Sequence, residues 1–263
     1  MNSPLIIPVP ILPFGMVHCH LIIGCDGCVL VDTGIPGSHA RIERVLKQHG
    51  RSFRDIKLIV VTHAHTDHAG SAARLRELSG APILAHAGDL DYYECRKEMT
   101  YCVTQWWGPL FLRSGVPGEP YQAFTPDILL HDDAKVPLDA YGIEGVARHT
   151  PGHTAGSISV ELSNGDALVG DLIASGILLG GVMRLKHATR PPFEDDPQAV
   201  SGQLLGMVDA GLQRFHMGHG GPLSADEVRR HAHHLAGLKP GRRFALQPAP
   251  CGCSKRQLIE VLR

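Results

Sequence analysis

Four side chains able to ligate a divalent ion fall within six residues, His63-Ala64-His65-Thr66-Asp67-His68. Zinc binds imidazole nitrogen and carboxylate oxygen at about 2.0–2.2 Å, so such density suits one or two divalent ions. The cluster directly follows Ile56-Lys57-Leu58-Ile59-Val60-Val61, a β-branched run of the kind a buried strand presents. Histidines at i and i+2 can turn their rings to one side once the chain leaves the extended form, and Asp67 and His68 come next in the turn. A histidine-rich surface turn would account for a lone His-x-His, but poorly for His-x-His-x-Asp-His at the end of such a strand. By contrast, His231-Ala232-His233-His234 reads as a solvated helix face.

The elements that must position the cluster are legible around it. Leu21-Ile22-Ile23 and Val29-Leu30-Val31 are β-type runs joined across Asp26-Gly27, a hairpin signal. Ser38 offers an N-cap to a helix carrying Ile42, Val45 and Leu46, stopped by Gly50. A helix over 71–78 and a strand over 82–85 follow the cluster. Further strands are expected at 145–148, 157–162 and 167–169, with Asn164-Gly165 as a second hairpin turn. Asp196-Pro197 opens a helix through an N-cap followed by proline, running to Gly211. Capping boxes at Ser224/Glu227 and Ser254/Gln257 start two late helices, so 223–263 is expected to be a helical segment. Residues 88–135 are less regular and rich in aromatics, including Tyr92, Tyr101, Trp106, Trp107 and Phe111. They read either as a lid over a substrate pocket or as a helical pair packing on itself or on a second copy of the chain, a homodimer. Strands then helices, in two halves, suggest sheets packed together with helices outside, within one α/β domain over 1–263.

Thr62-His63-Ala64-His65-Thr66-Asp67-His68-Ala69-Gly70 resembles the signature of the metallo-β-lactamase superfamily, and four further motifs occur in that family's order. They are Asp32-Thr33-Gly34, Thr150-Pro151-Gly152-His153-Thr154, Gly170-Asp171 and Gly218-His219-Gly220. The resemblance spans about residues 18–221. It implies a four-layer αβ/βα sandwich of two mixed sheets with outer helices, the site lying at one edge of the sheets. It implies that His63, His65 and His153 hold a first metal, that Asp67, His68 and His219 hold a second, and that Asp171 bridges both. Asp32 would lie behind these ligands and orient one of the histidines. The implied chemistry is hydrolysis by a hydroxide shared between two divalent ions and directed by Asp67. Zinc is the expected metal, although these ligands also accept iron or manganese.

Composition narrows the partners. A formal net charge of −1 gives no electrostatic reason to expect nucleic acid or an anionic membrane surface. The first nine residues carry no basic segment, and no run approaches the roughly 18 apolar residues of a membrane helix, so a cytoplasmic protein acting on a small molecule is expected. Seven cysteines, an odd number, argue for reduced thiols. Cys25-x-x-Cys28 and Cys251-Gly-Cys253 could together form an auxiliary metal knot, but ordinary thiols are the simpler reading. Among substrates, esters, lactones and thioesters remain, with lactones slightly preferred. Glyoxalase-II-like thioester hydrolysis and β-lactam hydrolysis are the alternatives. Outside hydrolysis stand a non-catalytic binding protein and an iron-dependent oxidase of sulfur compounds. His187, Trp106 and Trp107 are the candidate substrate contacts.

Overall fold

The computed structural model describes residues 4–177, 183–248 and 256–260. Its first half contributes β1 (Leu5–Pro10), β2 (His18–Ile23), β3 (Cys28–Val31), β4 (Ile56–Val60), β5 (Ile83–His86), β6 (Thr100–Val103) and β7 (Ile128–Leu130). Helices α1 (His39–Gln48), α2 (Thr66–Ala69), α3 (Ala72–Ser79), α4 (Leu90–Tyr93) and α5 (Gly108–Arg113) lie between them. The second half supplies β8 (Lys135–Pro137), β9 (Gly145–His149), β10 (Ile158–Leu162), β11 (Asp166–Leu168), β12 (Ala174–Ser175), β13 (Ala188–Thr189), β14 (Arg214–His216) and β15 (Leu223–Ser224). It also carries α6 (Pro197–Asp209), α7 (Ala225–Leu235), β16 (Arg242–Pro248) and β17 (Arg256–Glu260).

Two six-stranded mixed sheets result, ordered β1-β2-β3-β4-β5-β7 and β15-β14-β11-β10-β9-β8. Side-chain alternation shows how they stack. On β3, Cys28 and Leu30 point to one core with Ile42 and Leu46 of α1 and Leu75 of α3. Val29 and Val31 point the other way, into a core shared with Ile158 and Val160 of the second sheet. On β11, Leu168 joins that central core, while Ala167 packs with Leu204 of α6 and Val228 of α7. The layers therefore run helix, sheet, sheet, helix, and strands buried on both faces explain the uninterrupted apolar runs in the sequence.

The late part of the chain departs from expectation. Residues 223–263 are not a helical segment: only α7 is helical among the described residues there, and β16 pairs antiparallel with both β6 and β17. Ser254 lies outside the described residues, and Gln257, expected in the helix it would start, stands in β17, whose backbone is set by pairing with Phe244–Pro248 of β16. This third sheet carries Tyr101 and Phe244, which pack with Leu112 and Phe193 beside the site. Within α7, His231 is buried whereas His233 and His234 are exposed, so the helix face is only partly solvated. Cys25 is exposed and Cys28 buried, both as free thiols; Cys251 and Cys253 lie outside the described residues.

Candidate metal centre

The site forms where strands of both sheets end. β3 runs into Asp32, β4 into His63, β11 into Asp171 and β14 into His219, and both β3–β4 and β11–β14 pair in parallel. Parallel pairing puts the carboxyl ends at one edge, where loops are free to converge. Beyond β4, Thr62 donates its backbone N–H to Asp32 Oδ1 at 2.7 Å and its hydroxyl to Asp32 Oδ2 at 2.9 Å. The His65 carbonyl accepts from the backbone of His68 and Ala69, starting the single turn α2 that presents Asp67 and His68. Close approach demands glycine at position 218, where a Cβ would stand 2.3 Å from the His68 ring and 2.6 Å from Asp171 Oδ1.

Three imidazoles make the first group. His63 Nε2, His65 Nδ1 and His153 Nε2 lie 3.1 Å from one another, and all three residues are buried. Three ring nitrogens in a triangle cannot pair off by hydrogen bonding among themselves. Metal–nitrogen distances of about 2.0–2.1 Å in a tetrahedral site put ligand atoms about 3.3 Å apart, close to the observed spacing. His63 donates from Nδ1 to the Thr62 hydroxyl at 3.0 Å, which leaves Nε2 with its lone pair. Burial is the main reason all three rings stay neutral: it holds His65 at about 3 and His153 at about 4, and it keeps His63 well below the usual range.

The second group is anionic. His68 donates from Nδ1 to Asp32 Oδ2 at 2.8 Å, and His219 donates from Nδ1 to the Met16 carbonyl, so both turn Nε2 inward. His68 Nε2 stands 3.4 Å from Asp171 Oδ1 and 4.0 Å from Asp67 Oδ1. His219 Nε2 stands 3.0 Å from Asp171 Oδ2 and 3.4 Å from Asp67 Oδ2. Asp171 Oδ2 is also 3.9 Å from His153 Nε2, which places this carboxylate between the two groups. His68 Nε2 and Asp171 Oδ1 are buried without a hydrogen-bond partner, and such orphaned atoms fit a cation held between them. Burial opposes charge on both rings. The carboxylates of Asp171 and its neighbours outweigh it, raising His219 to about 10 and His68 well above its usual value. The residues present thus fit two divalent ions, one at His63, His65 and His153 and one at Asp67, His68 and His219, with Asp171 reaching toward both.

Asp89 escaped the sequence reading. Fully buried, it accepts from the Ala64 N–H at 3.0 Å and the Thr154 hydroxyl at 2.8 Å through Oδ2, and from the Gly156 N–H at 2.9 Å through Oδ1. One carboxylate thereby clamps the loop bearing His63 and His65 to the loop bearing His153. Burial pushes its carboxyl up to about 6, against the pull of these donors. Tyr121 adds a second fastening by donating to the Ala64 carbonyl at 3.0 Å. The available signal was position: Asp89 follows β5, the parallel neighbour of β4, so its loop lies at the same edge as the cluster.

The candidate substrate contacts fare differently. Trp106 is 90% exposed and lines none of the described cavities, because its neighbour Trp107 takes the inward side, packing on Phe111 and lining a cavity that reaches His219. His187 pairs with Glu227 of α7 at 3.1 Å and does not line the pocket over the metal ligands. That pocket, of about 200 Å³, opens over His65, Asp67, His153, Asp171 and His219 and is walled by Tyr101, Phe111 and Phe193.

Sheets stacked face to face between helices, with histidines and aspartates converging from strand ends, define a metal-binding αβ/βα sandwich. Residues 12–182 match the model of the metallo-beta-lactamase superfamily, and the chain belongs to that superfamily. It is similar to the probable metallo-hydrolase YflN of Bacillus subtilis, 27% identical over 79% of this chain and 81% of that protein. It is also similar to the hydroxyacylglutathione hydrolase GloC of Haemophilus influenzae, 28% identical over 54% of this chain and 60% of that protein. The fold matches that of a metallo-beta-lactamase family protein of Thermus thermophilus, with a TM-score of 0.62 and 22% identity over 90% of this chain and 79% of that one.

Proposed function

We propose that the protein is a hydrolase of ester, lactone or thioester carbonyls that works with two divalent ions, zinc in first place, and that lactones are its preferred class. The observation that carries this reading is the convergence of two ligand groups on Asp171 at the floor of a substrate-sized pocket. Two divalent ions, when bound, lower the pKa of a water toward neutrality and polarise a carbonyl. The chain's own residues orient and confine. Asp32 and the Met16 carbonyl fix the tautomers of His68 and His219. Asp67 alone among the ligand carboxylates is partly exposed, with a side chain 32% accessible against 4% for Asp171. It therefore meets whatever enters the pocket and can accept and direct a proton there. Burial would raise its pKa, yet the His68 and His219 rings hold its carboxyl well below the usual range, so it is ionised at neutral pH.

The thioester named for the Haemophilus relative supports thioesters as the second reading. A small-molecule substrate and a cytoplasmic setting belong to the same proposal; among the described residues no helix is long and apolar enough to cross a membrane. The test offers lactones, thioesters, phosphodiesters and β-lactams to zinc-loaded protein and to Asp67→Ala. Hydrolysis of the carbonyl substrates by the wild type, lost in a folded Asp67→Ala, is the expected result. Turnover retained by Asp67→Ala would refute the role given to Asp67, and no turnover of any substrate would refute the hydrolase reading.

A further inference from the structure

The walls of the pocket say more about the substrate than the metal ligands do. An aromatic ladder leads away from His65: Tyr101 stacks on the His65 ring at 5.2 Å, Phe193 lies 4.7 Å from Tyr101, and Phe111 stacks on Phe193 at 5.9 Å. Tyr101 gives its hydroxyl to the Pro117 carbonyl at 2.6 Å, so it offers the pocket its ring rather than its polar end. Leu12, Val17 and Ile35 also line the cavity. Val116, which also lines the cavity, is 61% exposed.

Charge points the same way. Apart from the metal-ligand residues, the ionisable groups lining the pocket are Glu119 and Tyr101, and the described lining contains neither lysine nor arginine. The cations of the adjoining cavities are already paired: Glu194, itself 1% exposed, holds the Arg190 guanidinium at 2.6–2.8 Å, Asp91 and Glu94 hold Arg96, and Asp91 holds Lys97. A carboxylate on the substrate's tail would give up water for an aromatic wall without a countercharge.

We infer that the substrate is electrically neutral beyond its reacting carbonyl and carries an apolar acyl chain, which lies along Tyr101, Phe193 and Phe111 toward Val116. This rests on the hydrolase reading above and deepens it. Each methylene that moves from water onto such a wall contributes about a fourfold gain in binding when fully buried. Conjugates bearing carboxylates on the acyl side are the wrong class for this pocket.

The experiment uses zinc-loaded protein and the p-nitrophenyl esters of acetate, butyrate, hexanoate and octanoate, with the monoester of adipate as the carboxylated counterpart of hexanoate. Binding of the uncleaved amides butyramide, hexanamide and octanamide is measured alongside by titration calorimetry. Expected are a kcat/KM that rises at least twofold per methylene, an adipate ester at least tenfold slower than hexanoate, and amide affinities in the same order. Val116→Arg, at an exposed lining position, should raise the adipate-to-hexanoate ratio at least tenfold. Equal rates along the series, or an adipate ester hydrolysed as fast as hexanoate, would overturn the inference while leaving the hydrolase reading intact. Length-dependent amide binding without any ester turnover would do the reverse. Amides that bind without regard to length would overturn the inference whatever the turnover.

Discussion

The two ligand groups meet at Asp171 yet are built on opposite principles. His63, His65 and His153 are neutral rings buried together, and their loops are clamped from behind by Asp89. Asp67, His68 and His219 form a charged nest in which Asp32, Asp67 and Asp171 surround two rings that carry protons at neutral pH. The first group is a pre-formed set of lone pairs. The second is a set of carboxylates whose charge must be balanced, by protons or by a cation. What differs is therefore the support each group needs, hydrogen bonds to backbone loops in one and charge balance in the other.

Removing the shared member should do most damage. Asp171→Ala is expected to weaken metal binding in both groups and to lower hydrolysis by about a thousandfold or more, a loss of several kcal/mol. Metal analysis beside kinetics checks this, and loss confined to one group would break the picture of Asp171 as a bridge. Asp32→Ala should act mainly on the second group, lowering its metal affinity about 10- to 100-fold because His68 loses the acceptor that fixes its tautomer, with a smaller effect reaching His63 through Thr62. Competition titrations with a chromophoric chelator would resolve the two steps. Asp89→Asn should do the opposite, lowering affinity in the first group about tenfold and stability by about 1–3 kcal/mol, since an amide accepts on one side only and must turn its NH2 group toward either the Ala64 and Thr154 donors or the Gly156 N–H. Equal effects of both variants on both steps would contradict the division of labour.

Chelated protein should show the contrast as pH dependence. His65 at about 3 and His153 at about 4 lie below their ordinary 6.5, so the unfolded chain takes up protons first as pH falls. The stability they confer is present above pH 6.5 and is lost as pH falls from there to about 4 for His153 and about 3 for His65. His219, raised to about 10, contributes stability that is full below pH 6.5 and is lost as pH rises through about 10. Melting curves of metal-free protein should therefore peak near neutrality, with the acid limb flattened by His65→Gln and the alkaline limb by His219→Gln. A swap of those effects would overturn the assignment of charge. The smallest effect is expected outside both groups: Trp106→Ser, at a 90% exposed position, should change stability by less than about 0.5 kcal/mol and hydrolysis less than twofold.

Much of this centre was legible because each ligand follows a strand and sits in a short punctuated motif. The run ending at Val61 marks the strand, and His63 to His68 mark the turn after it. Asp89 was not legible, because its partners lie 25 to 67 residues away and no local pattern joins them. The end of the chain misled for a related reason: a capping box is a local preference, and pairing of β17 with β16 decides the backbone of Arg256–Glu260. Trp106 and Trp107 could be told apart only by the chain's path into α5. Adjacent residues cannot share one helix face, but adjacency does not say which of the two faces inward.

The central claim is that the two groups each bind a divalent ion on either side of Asp171. Anomalous diffraction from zinc-soaked crystals, recorded at the zinc edge, tests it directly. The account predicts two peaks, one among His63, His65 and His153 and one among Asp67, His68 and His219, with Asp171 contacting both. A single peak, or two peaks with Asp171 turned away from either, would contradict it.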